Sequence, residues 1–549
     1  MRFLRLLTNS LLAGALGAAY LTILVLQLNP QVPIGSHSVW RWYVTLGGFY
    51  GVHLAVLFYA TMLLRELVSV RIFSPGWISV RLLAWMSAVA AAVAATLMWL
   101  NLTDFPTEFD DVAGRRFAYG AIATTASAVV LLLIAIAHYS FGRRGSRVGA
   151  ALLVIAITGS LALPLAARGP GGEHPLPTRR VALAPTPPLR EGPHITLILL
   201  DGGSLEYVWP RVAGGRLPNF GRVLDRGASM DLATIRPTQP GPVWAAVATG
   251  MYPDKNGVRS AASYFASGDS NPVDLLPDHC FSHTLIRLGI VVDQPTTSAA
   301  LRARPLWTIL DDYGISSGIV RWPLTYPAEP MSGFLVTDRF HRLVGSMQEF
   351  DDRAVYPPDL LPVLRETFES NPPADALTRT DELYGRALHD VTALRPVQVA
   401  AVRYQGLDSA GHDDATGEPF GMLDRYYAYI DAQIGAALDH LAPGDLLLVV
   451  SGFGMEAVTP VKQFAARLLQ DPNFTGTHER APDGFLLAYG RDVAPGRKQR
   501  GSIVDVTPTI LYFLGVPIAR DMDGFARADV FSAAFTAERP IAYIPSHGR

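Results

Sequence analysis

The chain opens with five long apolar runs and then changes its period. The runs are Leu6–Leu28, Trp42–Leu64, Leu82–Leu100, Phe117–Ala137 and Val148–Ala167. Each is close to the roughly 20 apolar residues that cross a bilayer as a helix. Basic residues are unevenly placed around them. Arg2 and Arg5 precede the first run, Arg65, Arg71 and Arg81 lie between the second and third, and Arg143, Arg144 and Arg147 lie between the fourth and fifth. The other loops are poor in basic residues apart from Arg41 and the Arg115–Arg116 pair, and one is acidic (Asp104, Glu108, Asp110, Asp111). This bias predicts a cytoplasmic amino terminus. An odd number of spans then carries everything after Ala167 across the membrane, which for a bacterial inner membrane means a periplasmic or extracellular domain. A cleaved signal peptide accounts for the first run alone, but not for the four that follow. His53 falls inside the second run. An ionisable group there marks either function or a neutral ring bonded to a neighbouring helix.

From Arg168 to Pro193 the sequence is rich in Pro and Gly and has no apolar period, which predicts an extended linker. The expected organisation is therefore an all-α membrane domain over 1–167, a linker over 168–193 and an outer domain over 194–549. In the outer domain short apolar stretches alternate with amphipathic ones, the pattern of an α/β fold. His194–Leu200, Ser317–Val320, Val397–Tyr404, the apolar run Leu446–Val450 and Gly484–Tyr489 read as strands. Tyr426, Ile430, Ile434 and Leu438 recur every four residues and predict a helix leading into Leu446.

Composition sharpens this picture. Mean hydropathy is +0.22 and only 17% of residues are charged, values that fit a chain partly built for lipid. A net charge of −2 gives no electrostatic case for nucleic acid. The single cysteine, Cys280, rules out an intrachain disulfide. It lies between His279 and His283, a spacing open to a metal but also to a buried thiol in a helix.

Chemistry is expected just past the carboxyl ends of the strands. Asp201 follows the first strand in LILLDGGS, where it serves either as a zinc or hard-cation ligand or as a turn aspartate. Asp408 and His412 follow Val397–Tyr404 in a Gly-containing stretch read as a loop, and His478 precedes the strand at Gly484. Two histidines and a carboxylate make a zinc site with an open position, and each also has a bland reading as a solvated loop residue. Pro240 and Pro242 suit a helix start, with Gly250 as its C-cap. Such a helix start attracts phosphate, and Thr238 lies near it as a candidate nucleophile.

Taken in order, these segments resemble the alkaline phosphatase superfamily, and within it the type I phosphodiesterase/nucleotide pyrophosphatase branch. The resemblance rests on LILLDGG, RLPNFGRVLDRGA, RPTQPGPVWAAVATGMYPDKNGV, RPLWTILDDYGI, RWPLTYPAEPMSGFLVTD, QGLDSAGH, GTHERAPDGFLLAYG and DVTPTILYFLGVPIARDMDG. It implies a doubly wound, mostly parallel sheet carrying two zinc ions and a Thr or Ser nucleophile. One zinc falls to Asp408, His412 and His478. The other falls to Asp201 and an Asp-His pair, but Gly452 and Phe453 stand where that pair is expected. The nucleophile position falls on Pro240, which has no hydroxyl. Asn256 replaces a customary histidine.

Three functions follow as expectations. The first is a metal-dependent phosphoester or phosphodiester hydrolase with one zinc, assisted by Asp201, Thr238 or Glu456. The second is a catalytically inactive ligand-binding or scaffold protein. The third is a lipid or glycan head-group phosphotransferase. The expected partner is a phosphate-bearing small molecule or a lipid or glycan head group.

Overall fold

The computed structural model describes residues 2–68, 78–140, 147–172, 192–280, 282–341, 352–369, 375–414, 420–460, 463–464, 475–478 and 480–548. Most of the linker 168–193 lies outside these residues. The chain divides into two compact units: residues 1–176 with 262–295, and 177–261 with 296–549.

The first unit contains five helical segments long and apolar enough to cross a membrane. They are α1 (Arg2–Leu28), the pair α2 (His37–Leu46) and α3 (Val52–Val68), α4 (Ile78–Asp104), α5 (Asp111–Ser140) and α6 (Arg147–Arg168). A π-type turn, Gly47–Gly51, joins α2 to α3. Here α1 comes so close that a Cβ on Gly14 would lie 2.1 Å from Gly51 O. Only small residues allow that approach without a clash. His53 Nδ1 bonds Phe49 O, four residues back in the π-type turn that leads into α3, at 2.7 Å, and not a neighbouring helix. Arg168 closes the end of α1, donating to the carbonyls of Leu26, Asn29 and Val32 where the chain leaves that helix.

Residues 262–295 belong to this helical unit although they interrupt the outer domain in sequence. They carry an antiparallel hairpin, Ala262–Ala266 with Val291–Pro295. Two asparagines at helix ends fasten the segment. Asn29 Oδ1 accepts from the backbone N–H groups of Asp274 and Leu275, and its Nδ2 donates to Leu275 O at 2.8 Å. Asn101 binds Asp278 N and Asp278 O in the same manner. Asn29→Ala leaves buried backbone groups unpaired, at a cost of about 1–3 kcal/mol each. The expected result is faster limited proteolysis within 262–295 of the detergent-solubilised chain. Cys280 sits in a half-buried turn before a helix, not inside one.

The second unit is a mixed α/β domain. Its strands include β1 (Ile195–Leu200), β2 (Ala228–Ala233), β3 (Ser317–Val320), β4 (Gly333–Val336), β5 (Val355–Tyr356), β6 (Val399–Tyr404), β7 (Leu446–Ser451), β8 (Glu456–Ala457), β9 (Gly476–Thr477) and β10 (Gly484–Gly490), with shorter pairs beyond β10. Starting from Gly496–Arg497, the main sheet runs β2, β10, β7, β1, β6, β3, β4, β5. The central strands β7, β1, β6, β3 and β4 are parallel, and β10 and β5 run against their neighbours. Every residue of β7 is buried, as expected of a strand covered on both faces. The two faces form separate cores: Ile195, Leu197 and Leu199 of β1 enter one, Ile198 and Leu200 the other.

Candidate active site

The register of the sheet sets the level of the site. Leu200 pairs with Tyr404 on one side and Ser451 on the other, so Asp201, Gln405 and Gly452 leave the sheet together. Gly202 has φ +76°, and a Cβ there would stand 3.0 Å from Asp408 Cα. Glycine at this position lets the next element come close. That element is α7 (Gly406–Asp413), a helix where the sequence pattern suggested a loop. It places Asp408 and His412 one turn apart on the same face.

A short ribbon brings the third group. Glu456 of β8 pairs with Thr477 of β9, which ends beside His478. Asp408, His412 and His478 converge so that one ligand atom from each lies within 4.8 Å of the others. His412 Nε2 is 3.7 Å and His478 Nε2 3.6 Å from Asp408 Oδ1. Both rings are oriented from behind. His412 Nδ1 lies 2.8 Å from Gly476 O, and His478 Nδ1 2.9 Å from Thr238 O. A carbonyl can only accept, so Nδ1 of each ring carries a proton and Nε2 is the nitrogen directed toward Asp408.

Asp408 Oδ1 is buried and accepts no hydrogen bond from any described residue. Burial pushes its carboxyl above the usual carboxylate range, His478 pulls it back down, and Asp201 adds to the rise. A buried carboxylate oxygen that accepts no hydrogen bond is costly unless a cation joins it. The donor set N, N, O with a protonated second nitrogen on each ring fits one zinc.

The other expected residues are placed differently. Asp201 is fully buried, and its oxygens are engaged. Trp244 Nε1 donates to Oδ1 at 2.6 Å, Arg403 Nε donates to the same oxygen at 3.0 Å, and Arg403 NH2 donates to Oδ2. Burial works against the Arg403 charge, but Asp201, with Asp338 and Asp408 adding to it, outweighs that, and the guanidinium holds its proton even more firmly than usual. The space around Gly452 is also filled. A Cβ there would lie 2.6 Å from Val243 Cγ1 and 3.4 Å from the Trp244 ring. Phe453 is buried, with its ring centroid 5.0 Å from that of His478. The residues present do not fit a second metal.

Thr238 is buried and its hydroxyl donates to Ile235 O at 2.8 Å, so its backbone carbonyl, not its hydroxyl, reaches the site. The helix α8 (Pro240–Thr249) starts as expected and ends on left-handed Gly250. Its first turn offers an anion little. Pro240 and Pro242 have no N–H, and Val243 N already bonds Gln239 O, which leaves Gly241. Glu456 lies outside the three-residue cluster.

Arg403 and Trp244 were not legible as site residues. The only signal was an arginine in the otherwise apolar and aromatic run VAAVRY. A further buried network supports α7. Asp381 receives Arg321 NH1 and Tyr426 OH, and accepts Gly406 N at the start of α7 at 2.9 Å. Asp381→Ala strands the buried Arg321 charge, an expected loss of about 3–5 kcal/mol. Chemical denaturation measures this, and weaker metal uptake should accompany it.

Residues 195–500, more than half of the chain, match the profile of the type I phosphodiesterase / nucleotide pyrophosphatase family. The chain belongs to that family. A solved structure of human ectonucleotide pyrophosphatase / phosphodiesterase 5 is similar to it, at 13% identity over 62% of this chain and 100% of that one, with a TM-score of 0.42. No curated protein sequence matches the chain. The type I phosphodiesterase / nucleotide pyrophosphatase domain is here joined to five membrane-length apolar helices.

Proposed function

We propose that the chain is a membrane-anchored, outward-facing phosphoester or phosphodiester hydrolase that works with a single zinc ion. The observation that carries this is the convergence of His412 Nε2 and His478 Nε2 on the unbonded Asp408 Oδ1. Bound there, zinc supplies Lewis acidity toward a phosphoryl oxygen and makes a more acidic water available. The chain's own residues do the rest. The carbonyls of Gly476 and Thr238 fix both imidazoles, Phe453 keeps water from one side of His478, and Glu456 on the adjoining ribbon is a candidate base. The uneven basic loops support a cytoplasmic amino terminus and an outer domain on the periplasmic or extracellular side of a bacterial inner membrane. The substrate class is a phosphate-bearing small molecule or a lipid or glycan head group.

A second reading is an inactive ligand-binding or scaffold domain. It is favoured by the absence of a hydroxyl at the helix start, where Pro240 stands and the Thr238 hydroxyl is turned away. A head-group phosphotransferase would need such a nucleophile and is disfavoured for the same reason. Full-length protein in detergent, assayed for metal by elemental analysis and for hydrolysis of bis(p-nitrophenyl) phosphate, separates the readings. The hydrolase reading expects about one zinc per chain and hydrolysis lost on chelation. Zinc without hydrolysis of any phosphoester moves the protein to the binding reading. No zinc removes the metal-centred reading altogether.

A further inference from the structure

We infer that Arg403 is a built-in substitute for a second metal cation, fixing the centre as a one-metal site that added metal cannot convert. This rests on the one-metal reading above and explains why the second position is closed.

Asp201 stands at the end of the central strand, and the Gly202 turn that follows it packs so tightly on buried Asp408 that a Cβ on Gly202 would lie 3.0 Å from Asp408 Cα. Two carboxylates this close and this buried need positive charge between them. Arg403 provides it. It projects from β6 on the same face as Val399 and Ala401, toward the core that holds Val243, Trp244 and Phe453. Its fork takes both Asp201 oxygens while its charge also acts on Asp408. With the Trp244 N–H, three donors use most of the roughly four acceptor positions of the carboxylate.

Space leads to the same conclusion. A ligand side chain at position 452 would have to displace Val243, and position 453 is occupied by a buried phenyl ring. The exclusion is therefore threefold: the carboxylate is taken, the room is filled and the Asp201 charge already has its counter-ion. A guanidinium differs from a metal in one chemical respect. It stays charged and donates hydrogen bonds, but it has no open coordination position at which to acidify a hydroxyl. A covalent nucleophile would have no activating cation, in keeping with proline at position 240. Arg403 is a positioning residue, acting through Asp201 and through the field at Asp408.

The test is metal stoichiometry and zinc affinity of the full-length chain in detergent. Val243→Ala/Gly452→Asp/Phe453→His restores ligands and room but keeps Arg403, and is expected to bind about one zinc per chain. Adding Arg403→Ala to that variant is expected to raise the value to about two, as in two-metal phosphoryl-transfer sites. Two zinc ions with Arg403 present, or one in both variants, would overturn the inference. Asp201→Asn/Arg403→Met removes both charges in one step and covers the case in which the multiple variants do not fold. It is expected to keep one zinc. Loss of zinc from it alone would make Asp201 a ligand, overturning this inference while leaving the one-metal reading intact. A wild-type chain without zinc would overturn both.

Discussion

Asp408→Ala is expected to abolish zinc uptake by the full-length chain. His412→Ala and His478→Ala are each expected to weaken it by more than the ~10- to 100-fold that loss of an outer-shell partner costs. The order follows from geometry. Asp408 is the shared member: both imidazole Nε2 atoms lie 3.6–3.7 Å from its Oδ1, and removing it leaves two ring nitrogens with no carboxylate between them. Thr238→Val is the discriminating control. It deletes the hydroxyl but keeps the carbonyl that orients His478, so zinc content should not change. If Thr238→Val lost zinc, its hydroxyl rather than its carbonyl would be what reaches the metal. Titration calorimetry of the four variants and elemental analysis of the purified chains decide between these outcomes.

The same residues show what the sequence could reveal. Asp408 and His412 were legible because a carboxylate and an imidazole four apart, following an apolar strand, is a local pattern. The helix that carries them was not, because Gly406 and Gly411 argue against one; tertiary contact with the Gly202 turn and the Asp381 bond to Gly406 N override that propensity. His478 showed only as a histidine just before the Gly484 strand, a weak signal because its partners are distant in sequence. Arg403 was hidden for a physical reason. A charged residue in a buried strand is intelligible only when its counter-ion is known, and Asp201 lies 202 positions away. The apolar pattern likewise gave no sign that residues 262–295 belong with the membrane-length helices. Their attachment depends on Asn29 and Asn101 binding backbone groups, which leaves no periodic trace.

Arg403→Met alone is expected to destabilise the outer domain by about 3–5 kcal/mol, the usual cost of leaving a buried charge without its partner. Asp201 is fully buried, and after the substitution it would keep only the Trp244 N–H. Asp201→Asn alone should cost less, because the amide still offers Arg403 one acceptor oxygen. The informative variant is the pair. Asp201→Asn/Arg403→Met removes both charges and keeps similar volume, so its stability should return to within about 1 kcal/mol of wild type, as buried ion pairs replaced by neutral residues often do. The two effects are then strongly non-additive, with a coupling of at least about 2 kcal/mol for residues in direct contact. Chemical denaturation of the four chains, followed by the fluorescence of buried Trp244 and Trp322, measures that cycle. Additive losses would show that Asp201 has another cation in solution, and a metal would be the natural candidate. Strong coupling would identify Arg403 as the counter-ion on which the buried carboxylate depends.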